Sequence, residues 1–305
     1  MLHRVWDVVA GVRVRGHVND RACHPERAQQ ECRSLDFARD DTLRHPERAP
    51  DPERAKRAEG SPDSLEGSAP PHVVLVHGLG MAANYLEPTM RALGDRLAAS
   101  ALDLPGFGKS RVRGQHLSLA ELADALTAWM DVRGIRAPIL LGQSHGCQVV
   151  VEAVARTPDL ASALVLNAPT MLVGSRTMHQ QLWRVMQDTP REPFSLVPHV
   201  ARDYLRAGPS RILGTLRDAL RDRIEDKLPH VRLPVTIMCG EHDPVAPPAW
   251  GKQLARLTGS RVGATEAKFV AIPGAAHAAP FSHPQALAQE ILAIAAQLAR
   301  VQPRP

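Results

Sequence analysis

Ile139-Leu140-Leu141-Gly142-Gln143-Ser144-His145-Gly146-Cys147-Gln148 runs from an apolar strand, through a G-x-S-x-G turn, into the helix-like text Val149-Val150-Val151-Glu152-Ala153-Val154-Ala155. The turn is so tight that the residues two before and two after the serine need near-absent side chains, which Gly142 and Gly146 supply. Ser144 is thereby pushed out at the carboxyl end of a strand with its hydroxyl exposed. A lone G-x-S-x-G also occurs in plain loops, so its weight comes from context: a strand before, a helix after, and partner residues downstream in a fixed order.

Working outward, the text from Pro71 alternates strand and helix. Val73-Val74-Leu75-Val76 reads as a strand buried on both faces, Leu86 to Leu97 as a helix and Ala99 to Leu102 as a short strand. Ser118-Leu119-Ala120-Glu121 is a capping box opening a helix that carries Leu122, Leu126 and Trp129 on one face. Leu164 to Leu166, Val235 to Met238 and Phe269 to Ile272 are further strands, and Pro284 to Arg300 closes the chain as an amphipathic helix. This alternation predicts an α/β fold: a doubly wound, mostly parallel sheet with right-handed crossovers, its core formed by residues 71–169 and 231–301.

The rhythm breaks between residues 170 and 230. Ser210 is placed to cap a helix whose Ile212, Leu216, Leu220 and Ile224 recur every fourth residue, opposite Arg217, Arg221 and Glu225. Gln180 to Met186 and Arg202 to Leu205 add shorter helical pieces. An all-helical insertion here is expected to cover the carboxyl edge of the sheet as a lid, with Met171, Leu172, Met178, Leu182, Trp183, Val185 and Met186 giving a pliant apolar pocket.

Residues 1–18 predict a β-hairpin of the same sheet, with a disordered basic leader as the alternative. Val12, Val14 and Val18 fall on one face, Arg13, Arg15 and His17 on the other, and Ala10-Gly11 is the turn. Residues 19–70 read as a disordered, repeat-like insertion: His24-Pro25-Glu26-Arg27-Ala28 returns as His45-Pro46-Glu47-Arg48-Ala49 and nearly as Asp51-Pro52-Glu53-Arg54-Ala55. The repeat is too short and too poor in apolar residues to stack a core. It resembles the translated form of a bacterial intergenic repeat element fused in frame. Cys23, His24, Cys32 and His45 could be combined into a zinc site, yet no C-x-x-C spacing supports one.

With 305 residues and 44% hydrophobic content the chain can bury one substantial core plus an appendage. It has no continuous apolar run of the roughly 18 residues that a membrane span needs, and the charged start Met1 to Asp7 does not suit a signal peptide. A cytoplasmic protein without a membrane partner is expected, and apolar settings for Cys147 and Cys239 agree. The net charge of +5 is spread along the chain without a basic run interleaved with aromatics, so nucleic-acid binding is not expected. A homodimer is left open.

A serine hydroxyl is a poor nucleophile at neutral pH and needs a base within reach, which in turn needs an orienting acid. Strand ends supply both: Gly240-Glu241-His242-Asp243-Pro244 after one strand and Pro273-Gly274-Ala275-Ala276-His277 after the next. Ser144 is assigned as nucleophile, His277 as general base and acid, and Asp243 as the carboxylate that fixes the imidazole tautomer. Glu241 competes for the acid role, and His242 and His283 for the base; the short loop after the last strand favours His277. A tetrahedral intermediate also needs two N–H donors, expected from the backbones of His145 and Leu79. His77 would then brace the loop that carries Leu79.

Val76-His77-Gly78-Leu79-Gly80, Asp103-Leu104-Pro105-Gly106-Phe107-Gly108-Lys109-Ser110, the Gly142 to Gly146 turn, Gly240 to Asp243 and Gly274 to His277 together resemble the α/β-hydrolase superfamily, in its lidded subgroup, over residues 71–300. The resemblance implies a hydrolase without cofactor or metal and two antiparallel strands ahead of the first motif. His145 departs from it, standing where many relatives carry methionine. A serine in place of an aspartate at the turn speaks against dehalogenase or epoxide-hydrolase chemistry. Two other motifs fail: Gly78 to Ala83 fits a dinucleotide-binding G-x-G-x-x-A only in isolation, and Gly106 to Ser110 lacks the first glycine of a phosphate-binding loop. The expected activity is hydrolysis of small to medium apolar carboxylic esters through an acyl-enzyme. The alternatives are a C–C bond hydrolase of the meta-cleavage type and a non-catalytic ligand receptor on the same fold.

Overall fold

The computed structural model describes residues 1–9, 11–19, 71–112, 114, 116–258 and 267–301, all within the unit made of Met1–Cys23 and Pro71–Pro305. The repeats of residues 19–70, apart from Asn19, and the conceivable zinc ligands lie outside the described residues.

In chain order the elements are β1 (Leu2–Val9), β2 (Val12–Asn19), β3 (His72–Val76), α1 (Glu87–Leu93), β4 (Ala98–Leu102), α2 (Leu119–Val132), β5 (Ile139–Gln143), α3 (His145–Arg156) and β6 (Ala163–Asn167). There follow α4 (Met178–Asp188), α5 (Val197–Ala207), α6 (Pro209–Arg221), α7 (Ile224–Lys227), β7 (Val235–Gly240), α8 (Pro248–Thr258), β8 (Lys268–Ile272), α9 (Ala279–Ser282) and α10 (Pro284–Val301). The eight strands form one sheet in the order β1-β2-β4-β3-β5-β6-β7-β8, parallel from β4 to β8, with the β1–β2 hairpin joined antiparallel. The doubly wound, mostly parallel α/β fold expected from the alternation is the fold observed.

The core lies in two layers, one on each face of the sheet. One face buries Val74, Leu140, Val150, Leu126 and Trp129 against α2 and α3. The other buries Leu75, Leu141, Met90, Leu287 and Ile291 against α1 and α10. Strands covered on both sides explain the unbroken apolar runs of β3 and β5. Ser118 accepts the N–H of Glu121 while the Glu121 carboxylate accepts the N–H of Ser118, so the capping box opens α2 where its sequence placed it.

Three local expectations need correction. Arg15 and His17 are buried, at 4% and 1% exposure, although the alternation put them outward. From Val14 onward β2 is covered on both faces, and its inward polar side chains are paired, Arg15 with Asp103 at 2.7 Å and His17 with Glu87 at 2.9 Å. Second, α6 begins at Pro209 after Gly208, with no side-chain cap from Ser210, and Ile224 falls in the separate α7. A proline whose missing N–H costs nothing in the first turn starts that helix instead. Third, α4 is inverted: Gln181 and Asp188 are buried, whereas Met178, Leu182, Trp183, Val185 and Met186 face solvent. Periodicity alone cannot say which stripe of a helix packs inward when polar partners wait beneath it; here they are the Ser175 carbonyl and the His277 N–H.

Candidate active site

The turn between β5 and α3 holds Ser144 at φ 56° and ψ −119°, in the left-handed half of backbone space that non-glycine residues seldom enter. Neither neighbouring glycine tolerates a side chain. A Cβ at Gly142 would stand 2.5 Å from the Gly146 carbonyl oxygen, and one at Gly146 would strike the carbonyls of Val76 and His77. The Ser144 N–H is fixed by the Asn167 carbonyl at 2.9 Å, which ties the turn to the end of β6.

Ser144 Oγ lies 3.0 Å from His277 Nε2, and His277 Nδ1 lies 2.9 Å from Asp243 Oδ2. The three predicted residues therefore form one hydrogen-bonded line, each delivered by the loop after a different strand, β5, β7 and β8. Asp243 is 2% exposed, and its Oδ1 accepts the N–H groups of Val245 and Ala246 at 2.7 and 2.8 Å. That leaves Oδ2 for the imidazole, so in the neutral ring Nδ1 carries the proton and Nε2 accepts from the serine hydroxyl. The rivals are elsewhere: Glu241 is exposed and accepts the N–H of Gly274, and His242 is exposed on the surface.

Burial pushes the His277 imidazole down, but the Asp243 carboxylate, by its charge and its hydrogen bond, together with Asp188 and Glu192, overrides this and raises it to about 9. Asp188 and Glu192 had no sequence signal. Both come from the insertion after β6 and accept the N–H groups of His277 and Ala278. Gln143 and Asn167 were also missed: the Gln143 amide donates to the His277 carbonyl at 2.9 Å, and Asn167 donates to Gln143. Their positions at the ends of β5 and β6, flanking the serine turn, were the available clue.

The loop after β3 passes directly over the serine. A Cβ at Gly78 would come within 3.1 Å of Ser144 Cβ, so the close approach requires glycine there. His77 is fully buried; its Nδ1–H donates to the Gly78 carbonyl at 2.8 Å, and its Nε2 accepts the Leu104 N–H at 3.0 Å. The ring thus braces the loop that presents Leu79, and burial keeps it neutral. His145 opens α3, where the first N–H groups of a helix lack intrahelical partners. Its side chain is buried beside Gln148.

Asp103, at the distance from Gly78 to Ala83 where a dinucleotide site would place a carboxylate for the ribose, is fully buried and engaged by the N–H groups of Ala83 and Lys109 and by Arg15. It builds the loop after β4 and offers nothing to a nucleotide. Among the described residues no group of three metal-ligating side chains is poised to hold a metal, and no helix is long and apolar enough to cross a membrane.

Residues 73–290 match the α/β hydrolase family model, and the chain belongs to that family. It is a hydrolase. Among its relatives is the pimeloyl-[acyl-carrier protein] methyl ester esterase of Neisseria meningitidis, 28% identical over 262 residues that span 77% of this chain and 95% of that one. Two solved structures share the fold. A thermophilic esterase from Thermogutta terrifontis superposes with a TM-score of 0.67 at 18% identity, covering 97% of this chain and 99% of its own. The enol-lactonase from Burkholderia xenovorans LB400 gives 0.68 at 17% identity, covering 95% and 98%.

Proposed function

We propose that the chain is a serine esterase that cleaves small to medium apolar esters through an acyl-enzyme, with Ser144 as nucleophile, His277 as general base and acid, and Asp243 as the orienting carboxylate. The observation that carries this reading is the unbroken line from Ser144 Oγ to His277 to Asp243 Oδ2 at the mouth of three strand ends. Ser144 Oγ attacks the ester carbonyl as its proton passes to His277 Nε2. The oxyanion is held by the N–H groups of Leu79 and His145, each worth about 3 to 4 kcal/mol of barrier. The imidazolium then gives its proton to the departing alkoxide, and a water activated by the same imidazole releases the acid and restores the serine.

Residues 170–230 act in this reading as a lid. Tyr204 of α5 stands against Gly80, and a Cβ there would fall 2.5 Å from its ring, so the insertion contacts the oxyanion loop as well as the histidine loop. The Neisseria relative, a methyl ester esterase, supports a methyl ester as one substrate class. A C–C hydrolase acting on diketo acids would need a cation for the substrate carboxylate. Of the insertion's arginines Arg176, Arg184, Arg191, Arg202 and Arg206, the first is bound by Glu225, Arg184 by Ser175 and the Pro244 carbonyl, Arg191 by the Gln187 carbonyl and Arg202 by Asp203, and Arg206 is exposed. Esters are therefore the better fit.

A fluorophosphonate probe should label Ser144 and no other residue, and Ser144→Ala should lower kcat by about four to six orders of magnitude. Comparing kcat/KM for p-nitrophenyl butyrate and for a vinylogous diketo acid tests the substrate class. Near-normal turnover by Ser144→Ala, or a hundredfold preference for the diketo acid, would overturn the proposal.

A further inference from the structure

Two carboxylates from the insertion grip the main chain of the histidine loop. Asp188, the last residue of α4 and 7% exposed, accepts the N–H of His277 at 3.1 Å. Glu192, just past the turn Thr189–Arg191, accepts the N–H of Ala278 at 2.6 Å, while its other oxygen is buried without a polar partner. With Gln143 on the His277 carbonyl, this residue is held at both ends of its backbone as well as through its ring. An amide oxygen would serve an N–H as well, and without the desolvation that a buried carboxylate suffers. Burial pushes both acids up, Glu192 to about 7, so ionising them here carries a cost that an amide would not.

We propose that Asp188 and Glu192 are positioning residues for the hydrolysis assigned to Ser144: they fix the His277 backbone and set negative charge beside its imidazole, so that the imidazolium formed in each step is stabilised. The inference rests on that triad reading. The groups that face His277 are Asp243 from the loop after β7, Asp188 and Glu192 from the insertion, and the Ser144 hydroxyl. Tyr85, before α1, stands within the field of all three carboxylates with a phenol that burial keeps protonated, and Arg191 faces Asp188. Stabilising the imidazolium helps the transition state but also protonates the resting base, so both acids move the acidic limb of the activity profile to higher pH.

Asp188→Asn and Glu192→Gln keep an acceptor oxygen and delete the charge. The pH dependence of kcat/KM on p-nitrophenyl butyrate, with melting curves for every variant, should show the limb moved down by about half a unit in each and about one unit in the double variant. The plateau kcat should fall about threefold to tenfold, with KM for this neutral ester unchanged. Glu192→Asp, which keeps the charge but is too short for the Ala278 N–H, should lose kcat while its limb stays in place. Glu290→Gln, at the surface pair with Lys268, is the control and should match wild type. A role in stability alone would change melting and leave the limb unmoved, and that result in either folded amide variant overturns the inference. Each carboxylate holds its own N–H, so one variant that folds suffices. Ser144→Ala in the same series separates the two ideas: turnover that survives it removes the triad reading and this inference together, whereas Ser144-dependent turnover with an unmoved limb removes this inference alone.

Discussion

A histidine held at a raised pKa puts activity and stability in opposition. His277 accepts the Ser144 proton only when neutral, so kcat/KM should climb with pH and level off above about 9. Its folded value exceeds the unfolded 6.5, so its contribution to stability is fully present below 6.5 and is lost as pH rises through about 9. The melting temperature of wild type minus that of His277→Ala should therefore shrink over the same interval in which activity grows; a constant difference would mean that the imidazole is not held protonated. Gly78→Ala is a second residue-scale test. Its new Cβ would press on Ser144 and displace the Leu79 N–H, so kcat should fall about tenfold to a hundredfold with KM little changed. Ser144, Asp243 and His277 were legible in the sequence because each follows a strand within a short loop, and strand ends in a parallel sheet converge. Asp188 and Glu192 were not, since their contacts join residues 89 and 86 positions apart through an insertion with no period tied to the sheet.

At the scale of elements, legibility followed how many faces of an element are covered by its own local rule. The parallel strands and α2 could be read because apolar runs and a capping box are local signals. The outward placement of Arg15 and His17 failed because alternation assumes one wet face, and from Val14 onward β2 has none. The polarity of α4 failed for the complementary reason: its buried side carries hydrogen-bonding partners. Two substitutions measure these differences. Asn19, at the end of β2, donates to the carbonyls of Gly94 and Leu97 and accepts the Ala99 N–H, so Asn19→Ala strands buried groups and should cost about 2 to 4 kcal/mol in denaturant unfolding. Trp183→Gln, on the exposed stripe of α4, should change stability by no more than about 0.5 kcal/mol. A large loss from the second would mean that this stripe is covered in solution.

For the whole molecule, the sheet order decides what a deletion can remove. Asn19 ends β2 opposite Ala99, and His72 begins β3 opposite Ala98, with only β4 between them. Two strand spacings of about 4.8 Å separate those points, roughly 10 Å. A Gly/Ser linker of about six residues spans that distance easily. Replacing residues 20–70 by such a linker should therefore leave the melting temperature and kcat/KM close to those of the full chain. Asn19 must be kept for the three hydrogen bonds described above, one residue beyond the hairpin boundary that alternation suggested. Removing residues 1–19 as well should be far more damaging. It uncovers the edge of β4 and takes Arg15 from the fully buried Asp103 carboxylate, and stranding one member of a buried ion pair costs about 3 to 5 kcal/mol. Asp103 also anchors the N–H groups of Ala83 and Lys109, so that loss should reach the loops beside the serine and lower activity along with stability. Equal melting temperatures for the two deletions would show that the hairpin is not part of the working sheet.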